Sequence, residues 1–340
     1  MAFDTWARFT GGAVLGLATV AALSIPSVDY QLTATALILS GNDYPVIDDA
    51  TMAAILGGYF GGDTRVNIYW PAQTWPESGP DSLTLGESIA VGVDNLDAAI
   101  RSTPGPKVAA GISGSSQIID EEMRRLAADP HAPGRDELSF VVIGDANRGI
   151  LAGFTGVYLP VLNYTPTVPE TQYDVTVVTG EYDGFGDWPD RPWNLLADLN
   201  AFVGTGTIPG FESVHYQSIW ADLSQVPAEN ITTTTNAKGG TTTTYVVPTA
   251  ELPLLRPLRD NGVPDQVVSA LNAFLKPIVD AGYSRNDPRP PRPPRGPQPL
   301  PPAQRAARVD TPKALRPARS AHKVTNVRHS RQRSIPASHR

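Results

Sequence analysis

The residues Gly111-Ile112-Ser113-Gly114-Ser115 lie between an apolar run and a helical pattern, and they are the sharpest chemical signal in the 340-residue chain. A serine nucleophile needs a tight strand-to-helix turn, flanked by small residues because the neighbouring backbone crowds it. Gly111 and Ser115 meet that need, although a serine in the fifth place breaks the strict G-x-S-x-G pattern. A helix starting at such a turn brings backbone N–H groups and its positive dipole end to a developing oxyanion. Taken alone, the pentapeptide reads equally well as a plain βα turn with an N-cap serine.

A serine acting at neutral pH needs a base, usually histidine. Of five histidines, three lie beyond residue 284, which leaves His131 and His215. In an α/β-hydrolase the chain order is Ser, then Asp or Glu, then His. His131 follows Ser113 too closely, so the order selects His215. The acid should follow a late strand. Asp174–Thr179 (DVTVVT) runs into Gly180-Glu181-Tyr182-Asp183-Gly184-Phe185-Gly186-Asp187. Asp183 is the first choice for the acid and Asp187 the alternative. The second oxyanion donor is expected from the Gly41-Asn42 turn after Thr33–Ser40, beside the backbone N–H of Gly114.

These residues require a particular scaffold. Apolar runs at 33–40, 64–69, 107–112, 138–144 and 174–179 read as buried strands. Between them, 83–101 carries Ile89, Val93, Leu96 and Ile100 at helical spacing, and 115–128 carries Ile119, Met123 and Leu126. Strands alternating with helices predict an α/β-hydrolase fold, a mostly parallel sheet with helices on both faces. Thr232–Thr235 and Thr241–Thr244, around Asn236-Ala237-Lys238-Gly239-Gly240, predict a β-hairpin insertion. Pro264–Val279 reads as a last helix, interrupted near its end by Pro277.

Charge divides the chain. Residues 285–340 hold 14 of the 27 Lys and Arg and only two acids, a net +12, whereas residues 1–284 carry −19. An acidic body with few Lys and Arg is a poor match for phosphate backbones, which argues against nucleic-acid binding. The absence of cysteine excludes disulfides, thiolate zinc sites and a cysteine nucleophile, and the expected chemistry needs no metal or cofactor. Gly11–Pro26 is free of charge, so residues 1–30 read as an export signal or membrane anchor, placing the body outside the cytoplasm. Residues 31–284 read as the folded domain. The Pro- and Arg-rich 285–340 reads as a solvated basic tail with polyproline II character, with binding to anionic headgroups as an alternative.

The segments ALILSGN, GISGS, FVVIGDANR, EYDGFGDWPDRPWNLLADLNA, His215-Tyr216, YVVPTAELPLLRPLR and VDAGYSRNDP occur in that order over roughly residues 33–287. In this the chain resembles the mycobacterial PE-PPE domain, a serine α/β-hydrolase family similar to cutinases. Its hydrophobic start resembles the membrane-anchored members that move acyl chains between trehalose glycolipids. The resemblance implies Ser113 as nucleophile, Asp183 or Asp187 as acid and His215 as base. It implies an acyl-lipid ester as substrate, a sugar acceptor such as a trehalose glycolipid, and association with the membrane or cell wall. Gly114 departs from the glutamine common in the family; the backbone N–H is kept and a side-chain contact is lost. Trp70, Trp75, Trp188, Trp193 and Trp220 fall in expected loops, where they would suit a lipid-facing site or ordinary packing. A competing reading is a hydrolase fold without catalysis that binds an envelope lipid or a partner.

Overall fold

Successive residues of a strand point to opposite faces of a sheet, so a strand that is apolar throughout needs cover on both sides. In β1 (Thr35–Leu39), Leu37 and Leu39 join one buried cluster and Ala36 and Ile38 another. The computed structural model describes residues 34–208 and 213–287. The first 33 residues, with the expected signal or anchor, and those after Asp287 lie outside the described residues.

In chain order the remaining strands are β2 (Thr64–Asn67), β3 (Lys107–Ile112), β4 (Leu138–Ile143), β5 (Val175–Gly180), β6 (Ile231–Thr235) and β7 (Thr241–Val247). They form one sheet in the order β2-β1-β3-β4-β5-β7-β6. All neighbours are parallel except β6 and β7, the expected hairpin. The hairpin continues the sheet directly, with Val178 opposite Tyr245.

The helices are α1 (Asp49–Gly58), α2 (Leu85–Ser102), α3 (Ser116–Leu126), α4 (Leu195–Gly204), α5 (Val214–Ile219), α6 (Arg256–Asp260) and α7 (Asp265–Asp280). The apolar stripes of α2 and α3 cover the Leu37–Leu39 face. α1 and α5 cover the Ala36–Ile38 face, so the sheet has helices on both faces as expected. A third cluster packs α4 and α7 around Tyr182, Leu252 and Tyr283. Thr84 caps α2 in a reciprocal box with Glu87, which starts the helix two residues later than the periodicity predicts. Pro277 does not end α7, which runs on to Asp280. Among the described residues no helix is long and apolar enough to cross a membrane.

One expectation needs correction. Arg285, assigned to the tail, belongs to the fold: it pairs with Asp187 and stacks 4.0 Å from the Tyr283 ring. Of the two roles open to the tryptophans, Trp70, in the loop after β2, takes ordinary packing. It is fully buried, and its indole N–H donates to Ser40 O at 2.9 Å, because it fills the space between α2 and the Gly114 turn. Trp75, Trp193 and Trp220 are exposed and Trp188 is half-buried.

Candidate active site

After β1 the chain goes to β2 on one side, then crosses to β3 on the other. This reversal opens a crevice at the carboxyl ends of β1 and β3, the place where open α/β sheets accept ligands. Ser113 follows β3 and the Gly41-Asn42 turn follows β1, so both stand at that crevice.

Ser113 has φ = 55°, a left-handed conformation that a serine adopts only when its surroundings enforce it. The turn explains the flanking residues. A β-carbon at Gly111 would lie 2.5 Å from Ser115 O. Ser115, in the place of the usual glycine, is buried, and its Oγ accepts from Ile112 N–H at 2.8 Å and donates to Leu39 O at 3.0 Å. The hydroxyl therefore ties the turn to the end of β1.

His215 sits in the first turn of the short α5, whose cap Ser213 accepts from Tyr216 N–H at 3.2 Å. Its buried ring lies 2.8 Å from Ser113 Oγ through Nε2 and 2.8 Å from Asp183 Oδ2 through Nδ1. Phe185 packs edge-on against the ring at 4.9 Å. Asp183 is fully buried and its other oxygen accepts from Phe185 N–H at 2.9 Å.

The alternative acid, Asp187, does not reach the imidazole. Its carboxylate accepts from Tyr182 N–H at 2.9 Å and from Arg285 at 2.6 Å, and its own N–H donates to Asp183 O at 2.7 Å. Burial pushes the Asp187 carboxyl up to about 6, against the opposing pull of Arg285. Asp187 thus ties the Asp183 turn to the C-terminal end of the fold. His131 is exposed and apart, its N–H bonded to Asp129.

On the other side of Ser113, a β-carbon at Gly41 would sit 3.6 Å from Ser113 Cβ, so the Gly41-Asn42 turn packs against the serine. The turn is held by Asp43 N–H donating to Ala72 O at 2.8 Å and by Asn42 Nδ2 donating to Thr74 Oγ1 at 3.1 Å. Gly114 and Asn42 both line the cavity beside Ser113.

That cavity is about 710 Å³, with apolar walls that include Ile55, Leu85, Ile150, Leu151, Leu162 and Trp220. A hydroxyl bonded to an imidazole, itself held by a buried carboxylate, can be activated for attack on a carbonyl. The apolar walls suit an acyl chain. Among the described residues no group of His, Asp and Glu is arranged to hold a metal ion.

Sequence reasoning missed Gly144, Tyr216 and Thr205–Thr207. Gly144 ends β4 at φ = 64°, and a β-carbon there would run into His215 Cε1. A glycine closing an apolar strand was the visible signal. Tyr216 and Thr205–Thr207 line the cavity from helix ends that carry no strong pattern.

The sequence matches the profile of the PE-PPE domain over residues 61–284. It is 44% identical to the SL1278 acyltransferase Chp1 of Mycobacterium tuberculosis, over 65% of this chain and 54% of that protein. Identity is 39% with the diacyltrehalose acyltransferase Chp2 of the same organism, over 64% of this chain and 63% of that one. With its esterase PE16 it is 35%, over 74% of this chain and 49% of the relative. The chain spans about half the length of the curated relatives it matches. With more than half of its residues inside the matched profile, the chain belongs to the PE-PPE domain family.

Proposed function

We propose that this protein is a serine esterase or acyltransferase acting on acyl esters of lipids. Ser113 is the nucleophile, His215 the general base and Asp183 its partner. The observation that carries the reading is the unbroken hydrogen-bonded chain Ser113–His215–Asp183 at an apolar cavity.

His215 Nε2 takes the Ser113 proton as Oγ attacks the ester carbonyl. The tetrahedral oxyanion lies between the backbone N–H groups of Gly114 and Asn42. Its collapse breaks the ester bond, and His215 returns the proton to the leaving alcohol. Ser113 then carries the acyl group. A second hydroxyl, from water or a sugar, loses its proton to His215 and attacks the acyl-enzyme, and the product acid or ester leaves. Asp183 holds the imidazole in the tautomer with its proton on Nδ1 and stabilises the imidazolium.

The names of the relatives, two acyltransferases and an esterase, support this chemistry. The trehalose lipid in one name supports an acylated trehalose as acceptor. The uncharged Gly11–Pro26 supports export to the cell envelope.

Reaction with a fluorophosphonate probe tests the nucleophile: one adduct is expected on the wild type and none on Ser113→Ala. Labelling that survives Ser113→Ala removes Ser113 from the role. Incubation with an acylated trehalose lipid, followed by mass spectrometry, tests the acceptor. A more highly acylated trehalose is the expected product, and free fatty acid alone restricts the protein to hydrolysis.

A further inference from the structure

A tight turn follows β4 over residues 145–151. Asn147 N–H donates to Asp145 Oδ1 at 3.0 Å and Leu151 N–H to Ala146 O at 2.8 Å. This turn touches both partners of Ser113. Its entry, Gly144, lies against the His215 ring. Further on, Ile150 N–H donates to Phe185 O at 3.0 Å, and a β-carbon at Gly149 would stand 1.9 Å from that oxygen. Phe185 is the residue that packs on the His215 ring and gives its N–H to Asp183. Ala146, Ile150 and Leu151 also line the cavity.

The turn is held from its other side by α3, the helix that follows Ser113. Arg148 Nη1 donates to Asp120 Oδ1 at 2.8 Å and to Asp120 Oδ2 at 3.0 Å, and it donates to Asp145 as well. Asn147 Nδ2 donates to Asp120 Oδ2 at 2.9 Å. Asp120, Asp145 and Asn147 are all buried. At the start of the same helix, Ser116 Oγ accepts from Ile143 N–H at 3.3 Å. α3 therefore grips the chain both before and after Gly144.

We infer that Asp120 and Arg148 are positioning residues for the triad: their buried ion pair locks the 145–151 turn to the nucleophile's helix, and the turn sets the His215 ring and the Asp183 loop relative to Ser113. Stability alone is a weak account of such a pair. Desolvation of two buried charges offsets most of their attraction, whereas the short, directional bonds define one geometry. The location fits that role. From Arg148 the path to the imidazole and the acid runs only through Gly149, Ile150 and Phe185. The catalytic consequence rests on the ester chemistry proposed above; the fixing of the ring does not.

The test uses full-length protein with isotopically labelled histidine. Nitrogen shifts of the His215 ring, identified by their absence in His215→Gln, report its tautomer without any turnover. In the wild type the proton is expected on Nδ1, facing Asp183. Arg148→Met and Asp120→Asn should each move the ring toward a mixture of tautomers. Each should also lower kcat for a short-chain ester by about 10–100-fold, with KM changed less than about threefold. One nitrogen makes all the Arg148 contacts, so Arg148→Lys, whose ammonium carries three donors, should recover most of the wild-type shifts and rate. All measurements are made well below each variant's thermal midpoint. Variants that melt earlier yet keep the wild-type ring shifts and kcat would leave the pair a structural role only and overturn the proposal. So would a wild-type ring that is already a mixture, or an Arg148→Lys variant no better than Arg148→Met. If Arg148→Met does not fold, Asp120→Asn carries the same comparison. A wild type that turns over no ester and takes up no fluorophosphonate defeats the ester reading, and the ring shifts still decide the positioning.

Discussion

Asn42 occupies the space that a β-carbon on residue 114 would fill: such a carbon would run into Asn42 Oδ1. The two positions belong to different strands' ends, β1 and β3, and together they border Ser113. Asn42 Oδ1 is buried and has no hydrogen-bond partner, while Nδ2 donates to Thr74. Gly114 is thus matched to Asn42. Gly114→Ala should lower kcat by about 10–100-fold, because the Gly41-Asn42 turn must move and the oxyanion donors with it. Adding Asn42→Ala should recover part of that loss. A double-mutant cycle on turnover of a short-chain ester measures the coupling. Strict additivity would sever the link between the two residues.

The two aspartates after β5 should separate cleanly. Asp183→Asn keeps the shape but offers the imidazole the wrong partner, and kcat should fall by about 10³–10⁴-fold. Asp187→Asn removes a carboxylate that holds Tyr182 N–H and Arg285, so turnover should fall less than about tenfold while the thermal midpoint drops by several degrees. Steady-state kinetics and thermal melts of the two variants check both statements. The reverse ranking in kcat would make Asp187 the acid.

Gly144 supports His215 from below. A β-carbon there would overlap Cε1 of the ring, and the φ of 64° already favours glycine. Gly144→Ala should displace the imidazole from Ser113 Oγ and lower the rate of fluorophosphonate labelling by about 10²-fold. KM for the same ester should change far less than kcat. An unchanged labelling rate would show that the ring tolerates the methyl group.

The parts that could be read in advance were those in which one local pattern carries the information. The apolar runs, the Gly111–Ser115 turn and the stripe of Ile89, Val93, Leu96 and Ile100 each state their own structure. What escaped depends on contacts between distant segments. α4 exposes Leu195, Leu199 and Phe202, which blurs its amphipathic pattern. α5 has six residues, too few for periodicity to show, so the sequence predicts no helix around His215. Both aspartates follow the same strand, and only the packing of Arg285 and Phe185 separates them. Trp70 lies just after β2 in sequence, and its burial comes from α2 and the Gly114 turn.

Glu122 gives the fold a pH dependence of its own. It lies in α3 with both carboxyl oxygens buried, facing the carboxyl group of Asp97. Burial, aided by the negative charge of Asp97, pushes its carboxyl up to about 8. In the unfolded chain the group ionises near 4.5. Between those values the folded state holds a proton that the unfolded state has released. Stability therefore falls as pH rises, by at most about 1.4 kcal/mol per pH unit from this group. Its contribution is fully present below about pH 4.5 and lost as pH passes 8. Asp120, pushed up to about 8 by burial, acts in the same direction. Glu122→Gln removes the cost of ionisation and should raise stability at pH 8 by about 2 kcal/mol, with little gain at pH 5. Urea unfolding of both proteins at pH 5, 6.5 and 8 measures the two slopes. Equal slopes would mean that Glu122 ionises in the fold as it does in water.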